Sequence, residues 1–206
     1  MGAAALTALQ TPATLAGRDD EVALLGALLH AARAGEPRIA VISGEAGMGK
    51  SRLARELQSL AEDAAMQVAA GRFLEGGHAP NLAFADALVA RLRDALPSLP
   101  AASRDDAAAA LEALTAAAPS PLAAPGAYRH DSALHRVLPG AVAALARRRP
   151  LLLVIDDLHW AEPDALQALL HLAAGLIDLA AGGEPVPVAL VALCRPPAPD
   201  DPLAHV

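Results

Sequence analysis

The sequence predicts an α/β fold in three layers, with a mostly parallel sheet covered by helices on both faces. Short apolar runs alternate along the chain with longer segments in which apolar residues recur every third or fourth position. The first pattern is typical of buried parallel strands, and the second is typical of amphipathic helices. With 206 residues, the chain is long enough for one large domain with a substantial core.

The first strand and the helix that follows it are the best defined. The run at 39–43 is rich in β-branched residues and is bounded by Pro37 and Gly44. In the helix at 50–64, the leucines recur at spacings of three and four and therefore lie on one face. Further strands are predicted at 67–73, 151–156 and 188–194, and further helices at 20–33, 82–96, 105–117, 131–147 and 163–179.

The segment between this strand and this helix matches the phosphate-binding loop pattern GxxxxGKS/T. Its Lys50 is the only lysine of the chain, and a compact ammonium fits between phosphate oxygens and reaches the β- and γ-phosphates. A strand, a glycine loop and a helix N-terminus in this order direct backbone N–H groups and the positive end of the helix dipole at one point. The alternative is a glycine-rich turn without a ligand. The candidate nucleotide-binding residues are Gly44, Glu45, Ala46, Gly47, Met48, Gly49, Lys50, Ser51 and Arg52.

Two acids follow the apolar run at 151–155. Asp156 and Asp157 come at the carboxyl end of a predicted strand, which is the edge where open α/β sheets bind ligands. Both carboxylates are expected to be ionised at neutral pH and to need a cation next to a polyphosphate. We therefore predict a Mg²⁺ site formed by Ser51 and Asp156. In the alternative interpretation, Asp157 caps the next turn and Asp156 pairs with an arginine.

The run at 153–164, LVIDDLHWAEPD, resembles the Walker B region of the AAA-type ATPase module found in STAND-class, LuxR-type bacterial regulators. The sequences LAGR at 15–18, GEAGMGKSRL at 44–53 and GRFLEG at 71–76 agree with this family. The resemblance implies a P-loop NTPase fold that is AAA-like and carries a helical insert at about 76–130. It also implies that Arg18 lies near the adenine or ribose and that Arg195 senses the γ-phosphate. Arg18 in a surface ion pair, and Arg195 paired with one of the two acids in the absence of nucleotide, remain alternatives.

Three regions are expected along the chain. Residues 1–14 are predicted to be loosely ordered, 15–196 to form the ATPase core, and 197–206 to be a tail rich in proline and aspartate. The insert contains several prolines and is predicted to be helical with a mobile loop. The family normally continues with a lid and often a DNA-binding domain, so we expect a truncated regulator or an isolated ATPase core.

These features predict a nucleotide-dependent switch in signal transduction or transcription that binds Mg²⁺ and ATP. The candidate catalytic residues are Asp157, Lys50 and Arg195. Many related ATPases have a glutamate where this chain has Asp157, and the shorter side chain predicts slow ATP hydrolysis. The alternative is a P-loop phosphotransferase, such as a small-molecule kinase. A GTPase is disfavoured because no NKxD motif is found.

Composition limits the partners and the location. The formal net charge of −7 argues against an extended nucleic-acid surface, and the basic cluster at 147–149 is interpreted as a helix end. We see no apolar stretch of membrane-span length and no secretory signal, so a cytoplasmic protein without membrane contact is expected. A protein partner, or self-association through an exposed sheet edge, is possible. His159 is expected to pack or to form a hydrogen bond beside Trp160 rather than to transfer protons.

Overall fold

A computed structural model describes residues 19–75, 85–116 and 132–196. Strands and helices alternate along these ranges, with two short 3-10 helices at Leu96–Ser98 and Leu158–Trp160. In chain order the elements are α1 (Asp19–Arg33), β1 (Arg38–Ser43), α2 (Lys50–Asp63), β2 (Gln67–Arg72), α3 (Ala85–Ala95), α4 (Ala101–Ala116), α5 (Ser132–Arg148), β3 (Leu151–Asp156), α6 (Pro163–Ala181) and β4 (Val188–Cys194).

The four strands form one sheet in the order β1-β4-β3-β2. Every neighbouring pair is parallel, so the carboxyl ends of all four strands meet at one edge. This confirms the predicted α/β fold with a parallel sheet. It also brings the loop after β1 close to the acids after β3, because β4 alone separates these two strands.

Helices cover both faces of the sheet and create two cores. On one face, α1 and α2 pack with Leu152 and Val154 of β3 and with alternate residues of β4. On the other face, α3 to α6 pack with Leu151, Leu153 and Ile155. Because β3 and β4 are covered from both sides, all their residues are buried, which explains why their sequences are continuously apolar.

Strand β1 lies at an edge and is less well covered. Among the described residues it pairs with β4 alone, and Ile39 and Val41 are 38% and 54% exposed. Their partners in the register, Leu190 and Ala192, belong to the core under α3 to α6. The helices on that face therefore cover the middle of the sheet and leave the side chains of Ile39 and Val41 partly exposed to solvent.

The element boundaries agree with the sequence predictions to within about two residues, with one clear exception. Helix α4 begins at Ala101, four positions before the predicted start at 105. Pro100 precedes it, and the alanines that follow have the highest helix propensity, so the helix starts directly after the proline. The predictions for 1–14, for the loop within the insert, for 197–206 and for the starts of α3 and α5 lie outside the described residues.

By length and composition alone, α6 is long and apolar enough to cross a membrane, which the sequence analysis did not expect. It is the one helix of this kind in the described ranges. Four of its leucines are buried and belong to the core between the sheet and the helices: Leu166, Leu169, Leu172 and Leu176. A core helix of an α/β domain meets the same length and composition test.

Helices α5 and α6 approach closely at one point. Pro139 lies inside α5, where its ring removes a backbone donor. The ring packs onto Gly175 of α6, and a Cβ at this glycine would come within 2.5 Å of Pro139 Cγ and 2.8 Å of its Cβ. The glycine thus makes room for a rigid ring that cannot move aside.

We predict that Gly175→Ala lowers the free energy of unfolding by about 1–3 kcal/mol, because the new methyl group overlaps the proline ring. Gly26→Ala in α1 is the matched control, since no atom lies within 4 Å of its Cβ position. That change should be neutral or stabilise by up to about 1 kcal/mol through helix propensity. Urea unfolding measures both, and equal effects for the two substitutions would contradict the prediction.

Candidate functional site

The loop between β1 and α2 has a backbone that depends on its glycines. Gly47 and Gly49 have φ angles of 82° and 80°, in the left-handed region that L side chains rarely adopt. The amide of Gly44 donates to the carbonyl of Cys194 over 3.3 Å, which ties the start of the loop to β4. At the other end, Gly49 is the N-cap of α2 and provides no side-chain cap. The first amides of α2 are therefore available to an anion.

Lys50 folds back over this loop. Its Nζ donates to the carbonyl of Gly44 over 2.6 Å and to that of Glu45 over 2.9 Å. These two carbonyls hold the ammonium above the loop, where the sequence pattern predicts the β- and γ-phosphates.

The side chain of Asp156 is the centre of the site. Its Oδ2 accepts a hydrogen bond from Ser51 Oγ over 2.9 Å and another from Arg72 Nη2 over 2.6 Å. Its Oδ1 accepts from the amide of Asp157 over 2.9 Å. In the described part of the chain, Asp156 is the only charged residue that is buried. Both of its oxygens are hydrogen-bonded, as a buried carboxylate requires.

The sheet register explains why Arg72 reaches this carboxylate. Arg72 ends β2 and is the register partner of Asp156 at the end of β3, so both side chains lie on the same face of neighbouring strands. Arg72 Nε also lies 3.5 Å from Oδ2 of Asp157, which makes the guanidinium a bridge between the two acids. The sequence analysis did not identify Arg72 as a site residue.

Opposing effects act on the ionisation of this cluster. Burial raises the pKa of Asp156, but the hydrogen bonds from Arg72 and Ser51, together with the charge of Arg72, bring it below its ordinary value. The hydrogen bond to Asp156 and its negative charge raise the pKa of Arg72. Asp156 is therefore a carboxylate at neutral pH.

Asp157 has a left-handed backbone, with φ 56° and ψ 42°. Aspartate and asparagine tolerate this conformation better than other non-glycine residues do. The turn directs the chain away from β3 into the 3-10 helix Leu158–Trp160, whose Leu158 is buried in the core.

Two aromatic rings and an arginine complete the site. The rings of His159 and Trp160 lie 5.0 Å apart, tilted by 42°. The guanidinium carbon of Arg195, directly after β4, lies 5.7 Å from the centroid of the Trp160 ring in a cation–π arrangement. The alternative in which Arg195 pairs with Asp156 or Asp157 is therefore not seen, and Arg72 makes these contacts instead.

The structure brings most of the predicted site residues together at the carboxyl edge of the sheet: the loop 44–51, Arg52 at the start of α2, Asp156, Asp157 and Arg195. Arg18 lies outside the described residues. A signal for Arg72 was present in the sequence, since it lies near the carboxyl end of the second predicted strand, 67–73. Its partner becomes clear only when β2 is known to lie beside β3.

Three comparisons with known proteins found similar sequences or structures. The sequence profile of the AAA ATPase domain matches residues 14–189. An uncharacterized protein of Rhizobium meliloti (strain 1021) is 30% identical over 203 aligned positions, which cover 88% of this chain. The chain spans 18% of the length of that relative. Among solved structures, the Aeropyrum pernix ORC2 protein in its ADPNP-ADP complexes is similar, with a TM-score of 0.49 and 19% identity over 88% of this chain and 41% of that one.

We expect Arg72→Gln to lower the free energy of unfolding by about 1 kcal/mol at neutral pH, because Asp156 loses its cationic partner. The effect stays small because the Arg72 side chain is 53% exposed and solvent screens its charge. Since the pKa of Asp156 is lowered in the folded state, this contribution is fully present above about pH 4 and is lost as the pH falls through the folded value.

Urea unfolding of the wild-type protein and of Arg72→Gln, over a range of acidic pH values, tests this pH dependence. The difference between them should shrink in acid. Arg38→Gln, which breaks an exposed pair with Glu36, is the control and should change stability by less than about 0.5 kcal/mol. A difference for Arg72→Gln that grows in acid would contradict the assignment.

Proposed function

This chain belongs to the AAA ATPase domain family, and we propose that it binds Mg·ATP at the loop 44–51 and acts as a slow nucleotide-dependent switch within a regulatory protein. One observation carries the proposal. The loop's Ser51 hydroxyl lies 2.9 Å from the Asp156 carboxylate, which joins the phosphate-binding element to the acidic end of β3. A nucleotide polyphosphate and its cation need these two elements side by side.

Phosphate binding follows from the loop. The first amides of α2 and the left-handed turns at Gly47 and Gly49 offer donors to phosphate oxygens. The ammonium of Lys50 exchanges the carbonyls of Gly44 and Glu45 for oxygens of the β- and γ-phosphates. This exchange needs a rotation of one side chain and no change of fold.

The residues present fit a magnesium ion. Ser51 and Asp156 place hard oxygen ligands next to each other, and this metal takes one or two carboxylates, with phosphates and waters completing its shell. When bound, Mg²⁺ neutralises charge that develops on the β- and γ-phosphates. Arg72 donates to the same Oδ2 of Asp156 and also lies 3.5 Å from Asp157, so its guanidinium would give up this oxygen to a bound cation and could keep its contact with Asp157.

Asp157 is the residue that orients the attacking water. Its side chain is 32% exposed, so water reaches its carboxylate. It is one methylene shorter than the glutamate of many related ATPases, and a misplacement of about 1 Å costs on the order of 10²-fold in rate. The left-handed backbone at this position favours aspartate. Slow hydrolysis prolongs the ATP-bound state, which suits a switch.

The regulatory role rests on the resemblance of the run at 153–164 to STAND-class, LuxR-type regulators in signal transduction and transcription. Arg195 supports it. Its guanidinium lies over Trp160 and makes no ion pair with Asp156 or Asp157. It can therefore leave an aromatic face and contact the γ-phosphate of ATP, which ADP lacks.

Lys50→Ala is expected to weaken Mg·ATP binding at least about 100-fold, because the ammonium contacts both outer phosphates and each charged hydrogen bond contributes about 1.5–3 kcal/mol. Titration calorimetry with and without Mg²⁺ measures the affinity, and ADP production is followed in the same samples. Arg55→Ala is the control. The exposed Arg55 side chain donates to the backbone carbonyl of Ser51 over 3.3 Å and carries no predicted phosphate contact, so its removal should leave the affinity nearly unchanged.

A folded wild-type protein that binds no ATP would overturn the proposed function. Binding that is independent of Mg²⁺, or that survives Lys50→Ala, would place the nucleotide elsewhere.

Asp157→Asn should lower the single-turnover rate of ATP hydrolysis by at least about 10-fold while ATP affinity changes less than about threefold. Asparagine keeps the left-handed backbone and the size of the side chain but cannot accept a proton from water. Quenched-flow measurement of ADP gives the rate. An unchanged rate would exclude Asp157 as the residue that activates the water.

A further inference from the structure

The imidazole of His159 has an unusual environment. Both ring nitrogens are buried, and neither has a hydrogen-bond partner among the described residues. A neutral imidazole always carries one N–H donor and one acceptor, and a buried donor without a partner costs free energy. Packing against Trp160 uses the face of the ring and leaves both nitrogens unsatisfied.

The surroundings of this ring are those of the nucleotide site. Burial lowers the pKa of His159, and the charged groups that act on it are Arg195, Asp157, Lys50 and Asp156. They come from the ends of β3 and β4 and from the loop 44–51, so they surround the ring from three elements. The ring is therefore neutral at neutral pH, and the charged groups that act on it include Lys50 and Asp157, which the proposed function assigns to the outer phosphates and the attacking water.

The position of His159 in the chain supports a place near the terminal phosphate of the proposed nucleotide. The loop glycines and the start of α2 provide donors to the inner phosphates. His159 lies beyond Asp157, on a 3-10 helix that the buried Leu158 fixes to the core. Because both nitrogens have almost no accessible surface, a phosphate oxygen contacts one of them only when the imidazole side chain turns toward the loop 44–51.

We propose that His159 donates a hydrogen bond to the terminal phosphate of bound ATP and so helps the site to distinguish a nucleoside triphosphate from a diphosphate. This inference rests on the proposed function and deepens it. His159 is a specificity residue for the nucleotide state and takes no part in proton transfer. Triphosphate binding supplies an acceptor to a donor that has no partner among the described residues, whereas diphosphate binding supplies none.

The test compares wild type, His159→Phe and His159→Gln in titration calorimetry with Mg·ADP and with a Mg-bound, non-hydrolysable ATP analogue. Phenylalanine keeps an aromatic ring against Trp160 and removes the donor. It should weaken binding of the triphosphate about 10-fold and leave ADP affinity unchanged. Glutamine retains an N–H donor and should recover part of the loss.

Equal affinities in wild type and His159→Phe, or a loss shared by both nucleotides, would overturn the role of His159, because a packing residue gives one of these two results. Wild-type protein that binds neither nucleotide would instead overturn the proposed function. The ratio of triphosphate to diphosphate affinity tests the role of His159, and the presence of any nucleotide binding tests the proposed function.

A second measurement needs no substitution. In wild-type protein with ¹⁵N-labelled histidine, one ring signal should shift when the triphosphate analogue is added and stay in place with ADP. If no histidine ring responds differently to the two nucleotides, the proposal is wrong.

Discussion

The site depends on the hydrogen bonds of one buried carboxylate. Asp156 ends β3, the strand that is covered on both faces, and three parts of the chain converge on its oxygens. Ser51 of α2 and Arg72 of β2 donate hydrogen bonds to Asp156, and so does the backbone amide of Asp157 in the turn that follows. A buried negative charge is stable only when such donors surround it. The same requirement that stabilises the folded protein therefore holds the loop, the acids and the sheet edge in one arrangement.

Sequence patterns predicted the central part of this fold well, because strong constraints act there. The boundaries of β3 and β4 were predicted to the residue, since strands covered on both faces form continuous apolar runs, and the run in β3 ends at the acid Asp156. The loop 44–51 was recognised from the spacing of its glycines and from the single lysine, both of which can be read from the sequence. These features are local, and each can be recognised without knowing which segments are neighbours in space.

Contacts that depend on strand order could not be predicted in the same way. From the sequence, an ion pair between Arg195 and Asp156 or Asp157 was one alternative. In the structure, Arg72 forms the ion pairs with these two acids instead. Arg72 ends β2 and Arg195 directly follows β4, and only the order β1-β4-β3-β2 places Arg72 in register with Asp156. The unsatisfied nitrogens of His159 are likewise a property of packing. The sequence indicated a histidine next to a tryptophan and nothing about its donors.

The chain contains one tryptophan, and its indole ring lies near both the imidazole of His159 and the guanidinium of Arg195. Nearly all intrinsic emission excited at the red edge of protein absorption therefore comes from this corner of the site. A cation against the ring and an imidazole beside it both affect the excited state, so the spectrum depends on where these two groups lie. The protein thus carries its own optical reporter, without an attached dye and without background from a second indole.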